Sequence, residues 1–250
     1  MGDETWTRRR FAETVLRVLG PLALLRELSA RGALAAPMKF AARDLLSRVD
    51  EASGALAARR LRPAEWQARV EELGARADIG DLCRAVDLER LSRTVPPAGD
   101  WARGTHVRLG PYRFGTQVFG FARGTAITPH GHRNMASMHL VIGGELRCRQ
   151  YDRLRDETDH LILRPVLDRA CRAGEATSIS SEQRNVHWFV ATSDSAFTFD
   201  VVVDNLDPSM GRPYFIDLVD PAGAEKLADG TLRARRIGWD ESLRLYATKA

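Results

Sequence analysis

Two kinds of hydrophobic periodicity divide this 250-residue chain. Over residues 1–92 the apolar positions recur at helical spacing. Phe11, Val15, Leu16, Leu19 and Leu22 form one stripe; Trp66, Val70 and Leu73 form another within 63–74; Leu82, Val86 and Leu91 form a third within 79–91. Pro21, Pro37 and Pro63 each stand where a helix can begin, because proline is tolerated in a first turn. The stretches between them are rich in Ala, Leu, Arg and Glu, which favour helix. Pro96-Pro97-Ala98-Gly99-Asp100 then interrupts the pattern as a linker. Beyond it, short runs with β-branched and aromatic residues predict strands at 105–109, 113–122, 126–132, 138–142, 145–151, 160–166, 176–179, 186–191 and 196–203. Arg123-Gly124, Gly143-Gly144 and Ala173-Gly174 mark turns between them. Many short strands at close spacing indicate a sandwich or barrel. A short helix from Trp239, with Asp240 near its start, closes the chain. The expected class is α+β: a helical region over 1–95, then an antiparallel β-barrel over 96–250.

Composition narrows the function. Hydrophobic residues make up 44% and charged residues 28%, enough for a core that needs no disulfide or structural metal. The net charge is +4, with 37 Lys and Arg against 33 Asp and Glu interleaved along the chain. No basic block studded with aromatics stands out, which argues against a nucleic-acid partner. No apolar run approaches the ~20 residues of a membrane span. Cys83, Cys148 and Cys171 form no C-x-x-C pair, and their wide spacing fits a reducing cytoplasm. Thr7-Arg8-Arg9-Arg10-Phe11 has the look of a twin-arginine export signal. Glu13, Arg17, Arg26 and Glu27 interrupt the apolar core that such a signal requires. An amphipathic helix is the reading adopted, with export as its alternative.

The candidate chemistry lies in Gly124-Thr-Ala-Ile-Thr-Pro-His130-Gly-His132, followed by Gly143-Gly144. In a strand, residues two apart share a face, so His130 and His132 can both turn into a barrel interior. His187, in a later predicted strand, is placed to add a third imidazole. An isolated H-x-H pair is more often structural than metal-binding. The order of glycine turn, paired His, glycine turn and distal His is what makes this one a metal candidate. Counting by twos from His132 places His139 on the opposite face, outside the pocket. Arg108 is a candidate clamp for a substrate carboxylate or else a surface arginine. Asp200 is a candidate to orient a ligand histidine or bind a substrate amine, or else a solvated strand-end acid. Tyr151, Phe119, Phe121 and Trp188 read as core, with Tyr151 able to offer a pocket hydroxyl. His106 and His160 are weaker candidates still.

These residues resemble the first cupin motif, G-x5-H-x-H-x(3,4)-E-x6-G, and residues 174–191 resemble a loose second motif ending in its His. The resemblance implies a cupin barrel, a double-stranded β-helix. Where the motif carries a glutamate ligand, this chain has Ala136 or Ser137. Three-His cupins without a carboxylate look like the thiol dioxygenases, and residues 105–208 are similar to the cysteine dioxygenase family. That likeness implies Fe(2+) held by His130, His132 and His187, with Arg108 on the strand that holds the substrate carboxylate. Ser137 stands where eukaryotic members carry a cross-linking cysteine. Thr198, Asp200 and Asp204 stand where the family has its Ser-x-His-x-Tyr set, so cysteine itself is not implied as the substrate. The implied activity is oxidation of a small thiol-bearing carboxylate to a sulfinate with O2. A three-His oxygenase for a non-thiol small molecule and a non-catalytic metal-bound cupin module are the alternatives. The helical region carries no catalytic signature. It is expected to pack on the barrel, cover a mouth, or make a homodimer.

Overall fold

The computed structural model describes residues 38–95 and 102–247. The apolar stripe at 11–22, the arginines at 8–10 and the linker at 96–100 lie outside the described residues. Among the described residues four helices come first: α1 (Ala42–Ala57), α2 (Pro63–Ala75), α3 (Ile79–Ala85) and α4 (Leu88–Ser92). α2 begins as expected, with Pro63 in its first turn and the Glu65 carboxylate accepting from the Arg62 N–H at 2.9 Å. The helix expected over 79–91 is instead two. Asp87 adopts a left-handed φ of 54°, which a continuing helix cannot accommodate, and its carboxylate caps α4 through the Arg90 N–H.

Eleven strands follow among the described residues: β1 (Arg103–His106), β2 (Gly115–Ala122), β3 (Ala126–Arg133), β4 (Met135–Gly143), β5 (Glu145–Asp156), β6 (His160–Arg172), β7 (Ala176–Ile179), β8 (Val186–Ala191), β9 (Ser195–Asp204), β10 (Phe215–Lys226) and β11 (Leu232–Arg236). The short helix α5 (Trp239–Tyr246) comes last, where it was expected. One sheet runs β1-β2-β9-β4-β7. The other runs β3-β8-β5-β6 and is closed into a ring by β10 and β11. Strands β2 to β9 thus pass back and forth between two antiparallel sheets, apart from the β5–β6 hairpin within one of them, in jelly-roll order, the topology of a double-stranded β-helix. The expected α+β architecture, helices followed by a cupin-type barrel, is the one observed.

The two sheets enclose an interior of two characters. One half is dry and holds Phe121, Val141, Leu146, Cys148, Cys171 and Phe189. Cys148 and Cys171 both lie there as free thiols. The other half is polar and contains the histidines. The outer face of the first sheet is covered by the helices: Leu45, Val49, Trp66 and Val70 share one cluster with Met138, Leu140, Phe199 and Val201. A third cluster, with Tyr151, Leu161, Leu163 and Val219, fills the ring that β10 and β11 close.

Asn134 makes the crossing from β3 to β4. It takes φ of 66°, and its side-chain amide donates to the carbonyls of Asp207 and Arg212 at 3.1 and 2.7 Å. Asparagine tolerates this left-handed turn better than most residues. Gly144 makes the next crossing at φ 69°, where a Cβ would collide with the Ser195 carbonyl.

Candidate metal centre

Each histidine is placed by the register of its strand. His130 and His187 are direct partners across β3 and β8, and His132 lies two residues along β3 on the same face. The rings converge, with centroids 4.5 Å apart for His130 and His132, 4.3 Å for His130 and His187, and 5.3 Å for His132 and His187. One nitrogen from each ring lies within 4.8 Å of the others. Ligands on opposite sides of a zinc-sized ion stand about 4 Å apart, given metal–nitrogen bonds of roughly 2.1 Å. Small ring movements therefore suffice for all three to share an ion.

The surroundings fit that use. His130 Nδ1 is 2.8 Å from the Thr128 carbonyl, the type of outer bond that leaves Nε2 free to ligate. His132 Nδ1 and His187 Nδ1 are buried and find no partner in the protein. Asn185 holds the two strands together, its amide donating to the carbonyls of His132 and Ser180 at 2.5 and 2.9 Å. At the place of the missing glutamate, Ser137 faces the cavity but donates its hydroxyl to the Val201 carbonyl at 3.0 Å. The donor set is three imidazoles, suited to iron, zinc, copper or nickel.

Burial sets the charge of this cluster. Desolvation lowers the His130 pKa to about 4. The Thr128 carbonyl partly offsets the shift, and His139 adds to it. His132 and His187 are held well below the ordinary 6.5, first by burial and then by His130 and the other rings. All three are neutral at pH 7, the state that a metal requires. The same shifts predict an acid-sensitive apoprotein. The unfolded chain takes up protons near pH 6.5 and the folded chain does not, so stability falls as pH drops below that value. The slope is about 1.4 kcal/mol per pH unit for each ring. Urea unfolding of metal-free protein at pH 7.5, 6.5 and 5.5 measures it; an unchanged midpoint would contradict burial of the rings.

The histidines line a cavity of about 320 Å³ between the sheets. Other walls come from β2, β4 and β9, with Tyr214 just before β10 and Ile216 within it. Asp200 lies inside, 1% exposed, as one of its expected roles requires. Its partner is not one of the three histidines but His139, whose Nδ1 is 2.9 Å from Asp200 Oδ2. His139 is therefore inside the cavity, contrary to expectation. Counting by twos from His132 fails because the Asn134 turn puts β3 and β4 in different sheets, so their phases are independent.

Two other sequence candidates do not reach the cavity. β1 ends at His106, and Arg108 lies exposed in the loop beyond it. His106, discounted in the sequence, is a lining residue. Tyr151 sits beside Gln150, the strand partner of His187, and so faces the other way, into the ring closed by β10 and β11. Among the described lining residues there are two acids, Asp200 and Asp204, and no Lys or Arg.

No family model matches this chain, and no curated protein matches it. Solved structures do. Procruciferin, the 11S globulin of Brassica napus, is 14% identical with a TM-score of 0.36, covering 53% of this chain and 31% of its own. A Klebsiella pneumoniae protein with a double-stranded β-helix domain is 17% identical with a TM-score of 0.33, covering 44% and 83%. KdgF from Halomonas sp. is 18% identical with a TM-score of 0.31, covering 40% and 76%. This chain thus spans about a third of the storage globulin that it matches.

Proposed function

We propose that this chain is a mononuclear non-haem iron(II) oxygenase that adds both atoms of O2 to the sulfur of a small thiol. The observation that carries the reading is the convergence of His130, His132 and His187 without a carboxylate ligand at Ser137. An iron(II) ion held there would act as a Lewis acid and bring thiol and dioxygen together at neighbouring positions. The overall change is RSH plus O2 to RSO2H. Sulfur gives up four electrons, and dioxygen takes up four.

The protein's own residues do the rest. β3 and β8 hold the three imidazoles neutral and preorganised. Ile127, Phe119 and Met135 wall the cavity with apolar surface and limit bulk water beside the reacting atoms. The sequence reading gave the substrate a carboxylate clamped by Arg108, and the structure offers that clamp no support. With Asp200 and Asp204 as the charged lining, we assign the site to neutral or amine-bearing thiols.

The test is oxygen consumption by anaerobically iron-loaded protein given cysteamine, 2-mercaptoethanol, 3-mercaptopropionate and cysteine. We expect stoichiometric uptake with sulfinate formed, fastest for a thiol without a carboxylate. Uptake with none of them would remove the thiol reading. Iron-dependent uptake with a diketone instead would favour a non-thiol oxygenase on the same three histidines.

A further inference from the structure

The pair His139 and Asp200 stands beside the three-His set and is not part of it. The two are direct partners across β4 and β9, both inside the cavity, with exposures of 5% and 1%. Paired with a carboxylate, His139 donates through Nδ1, which leaves Nε2 outside that bond. That Nε2 is buried and has no partner in the protein, and neither has Asp200 Oδ1. The ring is 4.8 Å from that of His187, centre to centre. A fixed carboxylate, an imidazole oriented by it and an unused nitrogen next to a binding site form the arrangement that receives a proton from a reacting group.

Packing alone does not account for the pair. The sheets' dry half is filled by apolar side chains, and His139 stands at its border, edge-on to Phe189. An imidazole and a carboxylate are retained where the cavity opens instead. Nε2 is thus available to bond whatever enters the cavity.

We propose that His139, positioned by Asp200, accepts the proton of the S–H or O–H group that a reactant brings to the three-His centre. The site then selects neutral proton-bearing reactants over preformed anions. The S–H bond breaks, its electron pair stays on sulfur, and the proton passes to His139 Nε2, where Asp200 balances the new charge. No oxidant is involved in this step. The inference rests on the metal-centre reading and adds a residue from outside it.

The experiment compares two probes on cobalt(II)-loaded protein by absorption titration: 2-mercaptoethanol, which must lose a proton to bind as thiolate, and azide, which need not. His139→Gln is expected to weaken the thiol by about 10- to 100-fold, the range for loss of acid–base or outer-sphere support. Azide affinity should stay within about twofold, since azide brings no proton to be accepted. Asp200→Asn should move the thiol in the same direction by a smaller factor. Parallel loss of both probes, or no change in either, would overturn the proposal and leave a structural pair. Loss of cobalt from His139→Gln would do so too, making His139 a ligand. Failure of the unaltered protein to hold cobalt would instead refute the metal centre itself.

Discussion

His132→Ala is expected to lower the affinity for a divalent ion by a thousandfold or more, the largest single effect that this structure predicts. Loss of an outer-shell partner already costs about 10- to 100-fold in metal affinity. Loss of one ligand in three takes away a bond and leaves two imidazoles on neighbouring strands. His130 and His187 would still face one another with centroids 4.3 Å apart, a weak bidentate site. Metal content after dialysis and thermal shift with added metal are the measurements. At a hundred times its Kd, an ion stabilises the unaltered fold by about 2.7 kcal/mol. The variant should show almost none of that gain. Its metal-free form should fold, because a buried imidazole with an unpartnered nitrogen contributes little to hold the sheets together. Ser137→Ala is the matching control: its hydroxyl is committed to the Val201 carbonyl, so metal affinity should hardly move. A variant at 132 that retains a full equivalent of tightly bound metal would show that the ion, if any, sits elsewhere.

The barrel and the three-His cluster were legible because their signals are local. Period-two alternation reveals which residues share a face within one strand, and β7 and β8 were predicted with their observed bounds. What alternation cannot supply is the phase of one strand relative to another. His139 was misplaced for this reason, since its strand begins after a left-handed turn at Asn134. An Arg-Asn step between two apolar runs was the available hint. Tyr151 was ambiguous in the same way: only the pairing of Gln150 with His187 shows that Tyr151 faces away from the histidines, into the ring closed by β10 and β11. Arg108 was carried too far along its strand, which stops at His106 ahead of Gly110-Pro111. β10 went unseen because Pro221 and Gly223 interrupt it, and the register indeed shifts between Asp220 and Glu225. The charged ends of β5 and β6 hid their length. Arg153, Asp156, Asp217 and Arg236 satisfy one another across strands there rather than facing water singly.

Trp66→Ala is expected to destabilise helices and barrel together, by about 3–5 kcal/mol. Trp66 is fully buried in the cluster that joins α1 and α2 to the first sheet, and its indole N–H donates to Ser53 on α1 at 3.3 Å. α2 lies close to the sheet: a Cβ at Gly74 would come within 3.0 Å of Ala176 and 3.5 Å of the Met138 sulfur. Polar ties extend the contact toward the site. Gln67 accepts from the Ser180 hydroxyl at 2.5 Å, and Glu71 holds Ser178 and Arg184, each at 2.7 Å. That segment leads directly into β8 and His187, and Asn185 within it donates to the carbonyl of His132. A cavity left by Trp66 therefore reaches the three histidines through one short path: helix, loop, strand. Urea unfolding followed by far-ultraviolet circular dichroism and by bound-metal absorbance should give coincident transitions, both at lower urea than in the unaltered protein. If the helical signal were lost first while the metal stayed bound, the helices would be a separable cover rather than one wall of the same core.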